Sequence, residues 1–156
     1  MVETRSTIFF KSKDVPMLYF PRVMGHELSG EVTAVGEKVE RVKVGDRVAL
    51  DPVFACGECP TCRKGYPNVC ENVKCYGVQM DGGYQDYIVV HEKHLYPFDA
   101  SISFEHAALA EPFSIAANIL ERTAASKSDN VIVIGSRNDR FSQLFRLQKG
   151  LAVVLS

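Results

Sequence analysis

Four cysteines in one loop constrain this 156-residue chain more than any other feature: Cys56, Cys59, Cys62 and Cys70 form a C-x2-C-x2-C-x7-C pattern. Zinc takes about four ligands at tetrahedral corners, and thiolates at these spacings can close round one ion without straining the backbone. Gly57, Pro60, Gly65 and Pro67 supply the turns that bring the sulfurs together. Four thiolates leave no open position, so the spacing predicts a structural zinc, held by a lobe over residues 51–75. Disulfides and reduced core thiols are the alternatives. Clustered cysteines without a secretory leader argue against the first. A Gly/Pro/Lys-rich loop is a poor setting for the second. Cys75, in the strand-like stretch 74–78, reads as a buried thiol and not as a ligand.

Composition then excludes more than it specifies. Lys and Arg number 18 against 19 Asp and Glu, a formal net charge of −1, and the basic residues are scattered. Such a surface does not attract nucleic acid. No apolar run is long enough to span a membrane. At the N-terminus only residues 8–10 are consecutively apolar before charges resume, which is no signal peptide. A cytoplasmic location, with neither nucleic acid nor membrane as partner, is expected.

Residues 1–22 have no clean period, and Pro16 and Pro21 break them; a partly ordered arm is expected. From Leu28 the pattern turns β. Residues 31–35 alternate polar and apolar up to Gly36. Strands are expected again over 47–50 after a Gly45-Asp46 turn, and over 84–90 and 94–98 after a turn at Asp81-Gly82-Gly83. Short strands between glycine-centred turns predict a small barrel. Near Ser101 the character changes. Ser103 is placed to cap a short helix through Ala110, with Glu105 in its first turn. Pro112 is expected to interrupt that helix and hold Glu111 out of helical geometry. A second helix is expected over 114–122. The β-branched run 131–134, a helical stretch over 142–149 and an apolar run over 151–155 spell one β-α-β unit, the opening of a dinucleotide-binding fold.

Gly25-His26-Glu27, Gly45-Asp46-Arg47-Val48, Asp81-Gly82-Gly83 and Glu111-Pro112 surround the cysteine lobe in a fixed order. With it they resemble the zinc-dependent medium-chain alcohol and polyol (sorbitol-type) dehydrogenases, over roughly residues 23–135. The resemblance implies a mixed β and α/β chain. Residues 1–100 would form an incomplete GroES-like β-barrel with its zinc lobe, and residues 101–156 the first β-α-β of a Rossmann domain. It also implies hydride transfer between a polyol, sugar acid or secondary alcohol and NAD(P), in an intact enzyme that is a homo-oligomer. His26 would bind a catalytic zinc, with Glu27 a ligand or just behind it and Glu111 beside the ion; which carboxylate is the ligand stays open. Adjacent strand residues point to opposite faces, so His26 and Glu27 reach one ion only if the backbone bends, as Gly25 permits. His91, His94 and His106 match no ligand position and read as surface or barrel-end residues.

The chain also departs from that family. No cysteine precedes Cys56, where the family has a zinc ligand well upstream of its Gly-His-Glu, and the first barrel strands are expected to be missing with it. The catalytic site is expected to retain His26 and at best one carboxylate, too few to hold zinc, which leaves one structural zinc per chain. After residues 131–134 the family has G-x-G-x-x-G. Gly135 and Ser136 begin it as cofactor-binding candidates, but positions 137 and 140 are arginines that obstruct a pyrophosphate. One set of codons for Arg137-Asn138-Asp139-Arg140, read one base later, spells Gly-Thr-Ile-Gly, so a short double frameshift restores the motif. As written, the chain is not expected to bind NAD(H). The leading expectation is a dehydrogenase truncated at both ends, oxidoreductase by descent and inactive as it stands. The alternative is a non-enzymatic, zinc-stabilised binding or assembly module. A zinc-ribbon nucleic-acid binder is a third reading, which the near-neutral charge disfavours.

Overall fold

The protein is described by a computed structural model over residues 2–4, 21–124, 131–134 and 151–154. It divides into two compact units, Met1–Glu111 and Pro112–Ser156. The expected helix over 142–149, Gly135, Ser136 and the arginine pair at 137 and 140 lie outside the described residues.

In the first unit the framework is one five-stranded antiparallel sheet. Its strands are β1 (Val2–Thr4), β2 (Ser29–Val32), β3 (Arg47–Leu50), β6 (Tyr87–Ile88) and β7 (Leu95–Pro97), in the order β6-β1-β2-β3-β7. Residues 47–50 form the strand their pattern predicts. The alternation over 31–35 yields a strand displaced towards the N-terminus, because Ser29, Gly30 and Glu31 pair with Ala49, Val48 and Arg47. Strand β1 corrects the expectation of an arm without barrel strands. Val2–Thr4 fills the gap between β2 and β6, pairing Val2 with both Val32 and Ile88. Its sequence carries almost no signal, since the two flanking strands supply the hydrogen-bond partners that a short polar segment lacks by itself. Among the described residues the sheet is open, with β6 and β7 at its edges.

Leu28, Val32, Val42, Val48, Leu50, Tyr76, Ile88 and Leu95 form the core of this unit, with Val39, Met80 and Val90 packed against it. Val32 and Val48 are the largest fully buried side chains, and removing even one methyl group from a packed core costs about 0.5–1.5 kcal/mol. One buried ring was not anticipated. His94 is 4% exposed, which rules out the surface half of its reading as a surface or barrel-end residue. Its imidazole lies between the rings of Phe54 (5.5 Å) and Tyr76 (6.0 Å), and its Nε2 has no hydrogen-bond partner. Burial, with Lys93 adding to it, pulls the His94 pKa below its ordinary value.

Helix α2 (Phe104–Ala108) starts as its sequence predicts, with the Ser103 hydroxyl accepting a hydrogen bond from the His106 amide. It packs on β2 and β3, and the Ser29 hydroxyl donates to the Phe104 carbonyl at 2.6 Å. The Arg47 guanidinium lies over the Phe98 and Phe104 rings, at 5.0 and 4.3 Å from their centroids, and donates to the Ala100 carbonyl.

Helix α3 (Ala110–Thr123) corrects a second expectation. Glu111 and Pro112 both belong to it. Proline's missing amide breaks a helix only where that amide would have bonded to the preceding turn. Within the first turn the amide is unpaired anyway, and the ring's fixed φ suits the helix. The second unit also contains β8 (Val131–Ile134) and β9 (Leu151–Val154), which pair in parallel with Val131 opposite Leu151. A parallel pair needs a crossover between its strands, in keeping with a β-α-β reading. No described helix is long and apolar enough to cross a membrane.

Candidate metal centres

The cysteine lobe is built by turn chemistry. Strands β4 (Val53–Phe54) and β5 (Lys74–Cys75) pair at its base, with Val53 opposite Cys75. Between them Gly57 (φ 79°) and Gly65 (φ 86°) take left-handed backbone conformations, where any other residue would be strained. Pro60 opens the short helix α1 (Pro60–Arg63) and Pro67 opens a 3-10 turn (Pro67–Val69). The four sulfurs converge so that all lie within 4.8 Å of one another. Backbone amides point at them: Cys56 donates to the Cys70 sulfur at 3.3 Å, Asn72 to the same sulfur at 3.3 Å, and Cys59 to the Cys56 sulfur at 3.4 Å.

Those donors suit thiolates, yet four thiolates so close repel one another. The Thr61 hydroxyl, followed by the Cys62 and Glu71 amides, lowers the Cys59 pKa to about 5. Desolvation and the Cys59 sulfur push Cys62 up to about 12. Mutual repulsion and desolvation therefore oppose a fully anionic cluster. A divalent cation at its centre removes that conflict, and the donor set fits zinc.

A second group gathers His26 and Glu27, from the loop before β2, with Glu111 from the first turn of α3. One ligand atom of each lies within 4.8 Å of the others. Both Glu27 and Glu111 therefore come to the imidazole, and the chain offers three donors where two were expected. His26 Nε2 is 3.7 Å from a Glu27 carboxylate oxygen. Gly25, at φ 92°, makes the bend that lets neighbours aim at one point. All three side chains are partly exposed, unlike Cys59 and Cys70.

Electrostatics single out Glu111 within this second group. Burial raises the Glu111 carboxyl above its ordinary pKa. His26 opposes that shift, while Glu27 and Asp51 add to it. Burial, then Glu111, Asp51 and Glu27, push the neighbouring Cys75 thiol up to about 11. Burial and Glu27 likewise raise Tyr84. Asp51, Cys75 and Tyr84 were not singled out from sequence as neighbours of this group. Asp51 and Cys75 bracket the zinc lobe, and that position was the available signal. Cys75 is half-buried and keeps its thiol proton, with its Sγ 3.3 Å from the Tyr76 carbonyl.

Residues 4–100 match the alcohol dehydrogenase GroES-like domain family, and the chain belongs to it. Its relatives include a sorbitol dehydrogenase of Bacillus subtilis and a zinc-type alcohol dehydrogenase-like protein of Haemophilus influenzae. The chain is 43% identical over 121 residues to the starvation-sensing protein RspB of Escherichia coli K12, covering 78% of this chain and 36% of that protein. It is 39% identical to the L-galactonate-5-dehydrogenase of the same strain, covering 78% and 35%. Among solved structures, the short chain alcohol dehydrogenase rspB from E. coli CFT073, complexed with NADH, superposes with a TM-score of 0.77 at 39% identity. That match covers 86% of this chain and 41% of the other. The chain thus spans little more than a third of the curated relatives it matches.

Proposed function

We propose that this chain carries the zinc-holding part of a dehydrogenase that moves a hydride between a polyol or sugar-acid hydroxyl carbon and NAD(P). The observation that carries the reading is the convergence of His26, Glu27 and Glu111 on one point, apart from a four-cysteine cluster that has no room for substrate. The four-cysteine cluster would hold a structural zinc, and the His-Glu-Glu group a catalytic one. A catalytic zinc supplies Lewis acidity that lowers the pKa of a substrate hydroxyl.

The chain's own residues set the conditions for that chemistry. His26 donates through a ring nitrogen, so its imidazole must be neutral. Glu27 and Glu111 supply the anionic charge, which favours a divalent cation. Both carboxyls must lose their protons before they can donate, and burial opposes that loss at Glu111. Three donors leave at least one position open in a tetrahedral set, the requirement for a site that takes substrate. Hydride acceptance belongs to the nicotinamide, and the parallel pair β8–β9 is the part of the second unit that agrees with a nucleotide-binding fold.

A cobalt titration of the zinc-loaded chain tests this reading. One further cobalt should bind, its affinity should collapse in Glu111→Gln, and its absorption should shift when a polyol or sugar acid is added. Cobalt binding that ignores Glu111→Gln would refute the proposed site. An absorption spectrum indifferent to every polyol and sugar acid, with no NAD(P)H turnover, would favour the binding-module alternative.

A further inference from the structure

Three glycines meet behind the His26–Glu27 pair with their backbones in contact. A Cβ built on Gly82 would collide with the Gly25 carbonyl oxygen and would stand 2.5 Å from the Gly77 Cα. One built on Gly77 would stand 2.6 Å from the Gly25 oxygen and 2.8 Å from the Gly25 nitrogen. These obstacles are main-chain atoms, so no rotamer change relieves them. On the other side of Gly25 the Tyr84 ring closes in, 2.6 Å from where a Cβ would sit. Gly25 immediately precedes His26, and Gly77 lies two residues beyond β5 of the zinc lobe.

Hydrogen bonds clamp the same crossing. The amides of Gly82, Gly83 and Tyr84 donate to the carbonyls of Val23, Gly25 and Met24 at 2.8, 2.8 and 2.9 Å. Asp81 adds a carboxylate that accepts from the Val23 amide at 3.2 Å and from the Arg22 guanidinium at 3.0 Å. Every backbone carbonyl from Val23 to Gly25 is therefore held by the turn 81–84. The residues that follow, His26 and Glu27, leave this clamp as the donor pair.

We infer that the Asp81–Tyr84 turn is the positioning element for the His26–Glu27 pair, with Gly82 as its critical residue. The inference rests on the functional reading above and adds what holds those two donors in register with Glu111. Metal affinity depends on donor placement to within about 0.2 Å. A methyl group at position 82 must move the Gly25 carbonyl by more than that.

Calorimetric titration of cobalt into the full chain, zinc-loaded at the cysteines, provides the test. Gly82→Ala should weaken cobalt binding at least about tenfold, while the tightly held zinc stays at one per chain. Asp81→Ala, which removes two bonds but adds no clash, should weaken it by about threefold, and it carries the test should Gly82→Ala fail to fold. Val48→Ala, a core truncation on β3 that removes none of the clamp's hydrogen bonds, should lower the melting temperature without moving cobalt affinity. The inference is overturned if the folded position-81 and position-82 variants bind cobalt within about twofold of wild type, or if Val48→Ala weakens binding as much as they do. Should the wild type bind no cobalt, the functional reading fails, and amide exchange then judges the clamp. Protected amides at Gly82, Gly83 and Tyr84 that open in Asp81→Ala, together with moved His26 ring resonances, uphold it. Free exchange in the wild type, or unmoved His26 resonances, overturns it.

Discussion

The two donor clusters of the first unit are made in opposite ways. The cysteine lobe gathers its ligands from one loop, using glycine and proline turns within that loop, and two of its four ligands are buried. The His26–Glu27–Glu111 group assembles donors from a loop before β2 and from the start of a helix far along the chain, and all three are partly exposed. A local cluster depends on its own turns and its metal. A dispersed cluster depends on the packing of everything between its parts. The first is expected to be tight and to control local folding. The second is expected to be weaker, open and sensitive to distant backbone changes.

The largest expected effect falls on the tight site. Cys59→Ser should abolish the firmly held zinc and unfold the lobe, since structural zinc in small domains is worth about 10–16 kcal/mol of apparent binding energy. Limited proteolysis within residues 57–73, together with zinc analysis, would report it. A lobe that stayed protease-resistant without metal would break the contrast. Next comes Glu111→Gln, expected to weaken cobalt or zinc at the dispersed site by more than the ~100-fold that losing a residue behind a ligand can cost, with the cysteine zinc intact. Calorimetry checks both numbers in one protein.

The pH dependences separate the sites further. Folding raises the Glu111 pKa above 4.5, and the protonated carboxyl cannot donate. Metal binding at the dispersed site is therefore present above that raised pKa and lost as pH falls through it, at a higher pH than an ordinary glutamate would give. Titrations from neutral to mildly acidic pH would show the loss, and in Glu111→Gln the part of it that the Glu111 carboxyl contributes should be absent from whatever binding remains. The smallest effect concerns His94. Its folded pKa lies below 6.5, so the unfolded chain takes up a proton first. Its contribution to stability is complete above 6.5 and falls away as pH drops towards the folded pKa. His94→Leu should flatten the melting temperature over that interval, and an unchanged slope would place the titration elsewhere.

Legibility in the sequence followed the same division. The lobe could be read because spacing, turns and ligands sit within one loop, and the bend at Gly25 could be read because neighbouring donors demanded it. Ser103 was legible as a cap for the same local reason. Failures came where tertiary pairing decides. Val2–Thr4 becomes a strand because β2 and β6 flank it, and nothing in those three residues says so. Pro112 looked like a helix breaker, but its effect depends on how near the helix start it falls. His94 carries no mark of burial; the rings of Phe54 and Tyr76 supply it. Glu111 was recognised as a candidate through the motif order, while its meeting with both His26 and Glu27 needed the fold.

A zinc titration against a competing chelator, on the full chain with and without Glu111→Gln, tests the contrast most directly. One zinc per chain should resist the chelator in both proteins, and a second, far weaker site should be present only without the substitution. Two zincs held equally tightly, or a tight zinc that disappears with Glu111→Gln, would contradict it.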